Sequence, residues 1–435
     1  MFGLFTSPDK QMRANARNWL DVADRVFNYR RDELSEAELA DLQKKTETLR
    51  TQVREKAGAE KLKLSIEELE PVLRKTGGRI YPHSGLREWV EFFVVAAILL
   101  IGMRQFFVQP FKIPTNSMWP TYNGMFPEVH AKIEDEPGAA ARLFRTLALG
   151  AIAYRVDAPV DGEIVIPVGY NSNEKTYYMV GEPVKGRHWL VLPQNQRRYY
   201  VVVGNQVVSV SVPEDFAMDW AIKDTINPEE IDFAHLARKA EQEGRIARGY
   251  VTTESGDRVP AYMLRTGKHV RAGERVLSFD IITGDQLFVD RMSYHFVKPK
   301  VGSSFVFRTR NIEGLGDSYY IKRFIGGAGD VLEIRPPCLY RNGAPITGAQ
   351  AFEDNATRQG KYRGYVNGKP AGGYPRPILV PGQKYTVSKD GYIALGDNSN
   401  NSLDSRYWGE VPKKDAVGRP LWVFYPFTSH WGPAK

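Results

Sequence analysis

Three stretches of this 435-residue chain carry residues that could do chemistry, and each also has an ordinary reading. Ser117 stands in "PFKIPTNSMWPT", between Pro114 and Pro120. Two rigid residues around a hydroxyl can make a plain turn, or can hold a nucleophile in one conformation. Lys322 stands in "YYIKRFIGGAGDVLEI". Strand alternation would put it on the same face as Tyr320 and Phe324, an apolar neighbourhood. There the charged ammonium is disfavoured, its pKa falls, and a usable base results near neutrality. On a solvated strand edge it would stay an ordinary cation. The third stretch, "GDNSNNSLDSRYWGEVP", is a polar loop in which Asp404 and Arg406 can pair.

Other chemistries find little support. There is one cysteine, Cys338, so no intramolecular disulfide can form, and the seven histidines are scattered with no HExxH or CxxC. No catalytic metal and no cofactor is expected. "IGGAGD" lacks the Lys-Ser/Thr ending of a phosphate loop and reads as a glycine turn. A net charge of +8 suits work beside anionic lipid, and no arginine-rich patch points to nucleic acid.

Positioning these residues requires several kinds of element. Residues 1–80 read as helical: Leu39, Leu42, Thr46, Leu49 and Val53 recur three and four apart. Ser35 with Glu38, and Ser65 with Glu68, have capping-box spacing and predict two helix starts. A helical hairpin packed on itself or on a partner fits this. A membrane-surface helix is the other reading, from "MFGLF" and "NWLDVADRVFNYRR". Residues 89–108, "WVEFFVVAAILLIGMRQFFV", have the length of a membrane crossing, with Glu91 and Arg104 able to snorkel; the uninterrupted apolar run Phe92–Met103 is shorter than a full span, and a buried soluble helix is the other reading. Arg74, Lys75, Arg79 and Arg87 precede it, and basic residues vanish between Lys112 and Lys132. That bias predicts a cytoplasmic N-terminus. Beyond it, "DGEIVIPV", "RYYVVVGNQVVSVSV", "GDQLFVDRMSYHF" and "SSFVFRTR" predict strands. One helix is expected in "NPEEIDFAHLARKAEQEGRIARG", capped by Asn227.

Taken together, "PFKIPTNSMWPT", "GDQLFVDRMSYHFVKPKVGSSFVFR", "YYIKRFIGGAGD" and "GDNSNNSLDSRYWGEVP", in this order after a hydrophobic anchor, closely resemble type I signal peptidase. These are membrane-bound serine proteases with a Ser-Lys dyad. The resemblance covers about Trp89 to Met125 and Gly284 to Pro412. It implies a mostly β catalytic ectodomain of signal-peptidase-like fold, made of residues 109–125 and 276–435, with a transmembrane helix and an N-terminal α-helical region. Residues 126–275 would be an inserted β-rich domain with one helix.

By position, the resemblance implies Ser117 as nucleophile and Lys322 as general base. Thr115 and the Ser117 N–H would form the oxyanion hole, and Ser402 would orient the lysine. Asp404 and Arg406 would be a structural ion pair, while Phe111, Ile113 and Ile321 would line shallow substrate pockets. The implied activity is removal of signal peptides from exported precursors. Its setting would be the bacterial inner membrane, with the catalytic domain on the periplasmic side and the bilayer and secretion machinery as partners. The chain departs from the family pattern at Asn116, where a small residue is usual, at Thr115, where serine is commoner, and at Ser399 and Asn400, where Arg-Asp is typical. A catalytically silent, membrane-tethered β-domain that binds envelope proteins is the alternative from another class; self-cleavage is a third.

Overall fold

The computed structural model describes residues 7–81, 85–172, 175–188, 192–369, 374 and 377–435. "MFGLF" lies outside the described residues. The chain divides into two units, Met1–Ile101 and Gly102–Lys435.

The first unit carries three helices before the apolar one, Pro8–Arg30, Glu36–Arg54 and Ala59–Thr76, so it is more than the expected hairpin. Leu20, Leu42, Leu49, Leu62, Leu69 and Leu73 form their shared buried core. The Ser35–Glu38 capping box is present, each side chain paired with the other residue's backbone N–H. The second expected box is not a helix start. Ser65 lies inside the third helix and donates to Gln52 Oε1 at 2.9 Å. The apolar spacing of Leu62, Ile66 and Leu69 carries that helix back to Ala59, past the local capping signal. The helix Gly85–Phe106 contains an 18-residue stretch, Trp89–Phe106, long and apolar enough to cross a membrane, with none of it buried against protein.

The second unit holds an antiparallel eight-stranded sheet. Its order runs Val108–Lys112, Gln286–Asp290, Ala416–Tyr425, Ser304–Arg308, Tyr319–Gly327, Gly391–Leu395 and Val411–Pro412, with Gly432–Pro433 added beside Ala416–Tyr425. Val108–Lys112 is therefore an edge strand, four places from the strand that carries Lys322. At about 4.8 Å per place a flat sheet would hold them roughly 19 Å apart. They meet because the sheet coils. Register shifts interrupt Ala416–Tyr425 against Gln286–Asp290 and Ser304–Arg308, and such bulges bend and twist a strand. Gly418 permits the bend: a Cβ there would lie 1.9 Å from the Asp290 carbonyl oxygen.

Residues 126–275 build a seven-stranded sheet around Gly162–Asn171 and Leu192–Val203, and a three-stranded one. The middle strand of the latter, Arg275–Ile282, pairs with Phe126–Val129 and Ile152–Asp157. Its Phe279 and Ile281 are buried with Ile166, Val201 and Phe216, so the expected boundary at 275 falls inside a strand. Among the described residues of 126–275 there are three helices, where one was expected: Ala139–Leu149, Met218–Ile226 and Phe233–Gln242. Asn227 ends the second of these. The third is capped by Asp232, whose side chain accepts from the His235 N–H at 2.7 Å.

Candidate active site

After the edge strand, Ile113 and Met118 sink into an apolar cluster with Leu287, Val289 and Val306. The tight turn Asn116–Met118 is pinned between them and holds Ser117, which is 8% exposed. Asn116, unexplained by sequence, is a clamp. Its Oδ1 accepts from the Gly124 N–H at 2.9 Å and its Nδ2 donates to the Met125 carbonyl at 3.0 Å. A small residue could make neither bond. Gly124 is needed because the returning chain runs against Thr115, whose carbonyl carbon lies 2.3 Å from where a Cβ would stand. Thr115 itself is exposed at the lip of the cleft.

Lys322 reaches the turn from the Tyr319–Gly327 strand. Its Nζ donates to Ser117 Oγ at 2.6 Å and to the Ile321 carbonyl at 3.2 Å. The side chain is 4% exposed, and the Tyr320 ring lies 5.4 Å from Nζ. Burial pushes the lysine down to about 8, against the opposing pull of Asp404 and Asp397, with Arg406 adding slightly to the fall. Both carboxylates are already paired, which limits their pull. In the neutral form the 2.6 Å contact runs the other way, Ser117 donating its proton to the Nζ lone pair.

The glycine-aspartate loop grips this turn from a third side. Asn398 N–H donates to the Ser117 carbonyl at 3.1 Å, and Asn398 Nδ2 donates to the Asn116 carbonyl at 3.0 Å. Gly396 must lack a side chain: a Cβ there would sit 2.4 Å from the Ser117 carbonyl oxygen and 2.1 Å from Ser402 Oγ. Ser402 is buried beside the site, but among the described residues its hydroxyl has no hydrogen-bond partner and makes no bond to Lys322. The expected lysine-orienting contact is therefore not made. The lysine is held by Ser117 and by its own strand's carbonyl, while the Ser402 hydroxyl packs over Gly396.

The expected Asp404–Arg406 pair is present. Both residues are fully buried, with Arg406 Nε donating to Asp404 Oδ1 at 2.8 Å and Nη2 to Oδ2 at 2.8 Å. Ser399 joins them, accepting from Arg406 Nη1 at 2.9 Å and from the Val366 N–H at 3.0 Å. A second buried pair escaped the sequence reading. Arg323 donates to both oxygens of Asp397, at 2.7 and 2.6 Å, and Thr121 Oγ1 donates to Asp397 at 2.5 Å. This network ties the segment after Ser117 to the strand that carries Lys322. The signal available was the Lys322-Arg323 adjacency, since alternation sends the two side chains to opposite faces.

In front of Ser117 and Lys322 lies a cleft of about 1080 Å³. Phe111 and Ile113 line one wall and Ile321 the other, so all three expected pocket residues border it. Such a site offers a buried hydroxyl, an amine that loses its proton more readily than an ordinary lysine, and an apolar groove beside an edge strand.

The sequence model of "Signal peptidase, peptidase S26" matches residues 86–176 and 277–425, more than half of the chain. The chain belongs to this family. The probable signal peptidase I-1 of Synechocystis is 32% identical over 34% of this chain and 66% of its own length. The signal peptidase I of Leptolyngbya laminosa is 32% identical over 33% of this chain and 61% of its own. The chain thus spans a little under two thirds of these relatives. Signal peptidase I from Enterococcus faecalis V583, a crystal structure, aligns with 28% of this chain and 97% of its own at 25% identity and a TM-score of 0.21. Residues 177–276 lie between the two matched segments.

Proposed function

We propose that this chain is a membrane-anchored serine endopeptidase that removes signal peptides from exported precursors, with Ser117 as nucleophile and Lys322 as its general base. The observation that carries the reading is the 2.6 Å contact between Ser117 Oγ and a buried lysine whose pKa is pushed down to about 8. A serine hydroxyl attacks a carbonyl only when a neighbouring base takes its proton, and a lysine does so only when neutral. Desolvation supplies that neutrality without a histidine-aspartate pair. The lysine then returns the proton to the leaving amine, and water, deprotonated by the same amine, releases the acyl group.

Geometry supports the substrate class. Val108–Lys112 leaves one edge unpaired beside the cleft, where an extended segment can add as a strand. Alternate side chains of that segment would face Phe111, Ile113 and Ile321, whose shallow apolar pockets suit small residues. The Ser117 N–H and the Thr115 hydroxyl at the lip are the donors assigned to the oxyanion, each such donor contributing a few kcal/mol. Asp404 and Arg406 support the loop. Ser117 follows Phe106, the end of the apolar helix, by eleven residues in sequence, which favours cleavage close to a membrane surface. The excess of basic residues before that helix favours a cytoplasmic N-terminus and a catalytic unit on the far, periplasmic side of the inner membrane. The silent-domain alternative is less favoured, because an inert fold gains nothing from burying a lysine against a serine.

The test is cleavage of a precursor carrying a small-x-small site by the full chain in detergent. Ser117→Ala and Lys322→Ala are each expected to reduce cleavage by at least about a thousandfold while leaving the fold intact. Cleavage by Ser117→Ala at the wild-type rate would remove the serine mechanism.

A further inference from the structure

The insert contributes a wall to the cleft. The segment Asp215–Ala217 leads from the strand Gln206–Pro213 into the helix Met218–Ile226. Phe216 points inward, 3% exposed, and stacks on Phe279 with ring centroids 5.9 Å apart. Met218, beginning the helix, is also buried. With alternate residues drawn into the insert's core, Asp215 and Ala217 are turned the other way, and both line the cleft that holds Ser117 and Lys322. This placement is fixed. Trp220, on the same helix, packs edge-on against Trp119 at 5.4 Å, two residues beyond the nucleophile.

Opposite Asp215 stands Lys112, on the edge strand between Phe111 and Ile113. Alternation sends its side chain away from those two, toward the insert. Lys112 and Asp215 line both the main cleft and a smaller cavity of about 280 Å³ that continues from it along the insert. Among the described residues neither side chain makes a hydrogen bond or an ion pair. The surroundings partly desolvate both. Lys112 is lowered by burial despite Asp215, and Asp215 is raised by burial and by Glu214 despite Lys112. Glu214 is engaged elsewhere, 3.6 Å from Arg197.

We infer that Asp215 is a specificity-determining residue, contributed by the insert, that selects a basic side chain at the middle position of the small-x-small segment. The inference rests on the proposed function for the identity of that segment. An extended peptide along the edge strand presents its two small residues to Phe111, Ile113 and Ile321, so its middle residue faces Lys112 and Asp215. Of these two charges, Asp215 decides. Its short side chain rides on a backbone pinned by Phe216, whereas the four-carbon stem of Lys112 can swing its ammonium out into water.

Two readouts separate this inference from the function on which it rests. The first is affinity, measured by fluorescence anisotropy on the full-length Ser117→Ala protein, for Ala-x-Ala peptides with x as Lys, Gln or Glu. The expected order is Lys, then Gln, then Glu, with the first and last differing at least about fivefold. Adding Asp215→Lys should reverse the order, and adding Lys112→Glu should widen it. Asp215→Asn, nearly the same size, should flatten the preference. The second readout is the kcat/KM ratio for the Lys and Glu peptides with protein retaining Ser117, which should shift in parallel. Equal affinities, or an order unmoved by Asp215→Lys, would overturn the inference. Absence of cleavage with the binding order intact would instead overturn the proposed function and leave this wall standing.

Discussion

Lys322 shows how one side chain's surroundings set both stability and chemistry. The folded lysine loses its proton near pH 8, whereas the unfolded chain holds it to the ordinary, higher lysine value. Between those two values the unfolded state binds more protons, so stability rises with pH through that window and is lowest below it. The fall in pKa corresponds to a destabilisation of up to roughly 3 kcal/mol at neutral pH. Lys322→Met should therefore abolish cleavage yet raise the melting temperature at pH 7, and the gain should shrink as pH approaches 10.5. Denaturation at pH 7 and pH 10 checks this; equal gains at both would contradict it. Asn116 shows the limit of reading single residues. Its two bonds to Gly124 and Met125 depend on where the chain returns eight and nine residues later, which neither local propensity nor spacing reveals.

Elements hold Ser117 and Lys322 from three directions: the turn Asn116–Met118, the strand Tyr319–Gly327 and the loop around Gly396–Asn398. Arg323 and Asp397, at 2% and 1% exposure, join the strand to the loop, and Thr121, three residues beyond the turn, bonds to the same Asp397. Breaking a buried pair leaves one charge uncompensated and typically costs about 3–5 kcal/mol. Asp397→Ala should thus lower stability by that order in chemical denaturation, and lower kcat more than KM, because the lysine's strand and the nucleophile's loop lose their common tie. A loss confined to KM would contradict this role. The strand carrying Lys322 and the Asp404–Arg406 pair were legible in sequence, because both are short-range patterns. Asp397 was not, since its partners lie 74 and 276 residues away along the chain. Ser402 ran the other way: it was expected to orient the lysine, but among the described residues its hydroxyl has no hydrogen-bond partner and packs over Gly396.

Across the whole molecule, the apolar helix and the β-rich remainder were legible from composition and run length. The coiling of the eight-stranded sheet was not, because it depends on bulges between strands far apart in sequence. That Asp215 and Ala217 line the cleft was hidden for the same reason. The stretch Trp89–Phe106 exposes its large side chains, Leu100 at 69% among them, and each leaves about 1.5–3 kcal/mol of burial unrealised in water. A bilayer would supply that burial. The full chain is accordingly expected to stay with membranes through alkaline carbonate washing and to come away in detergent, and recovery in the carbonate supernatant would contradict the anchor. The central claim is that a buried, neutral Lys322 activates Ser117. Its most direct test is the pH dependence of kcat/KM for precursor cleavage by the full chain. The account predicts a rate that rises with pH and reaches half its maximum near pH 8, as the lysine sheds its proton. A flat profile from pH 6 to 10, or cleavage that survives Lys322→Ala, would contradict it.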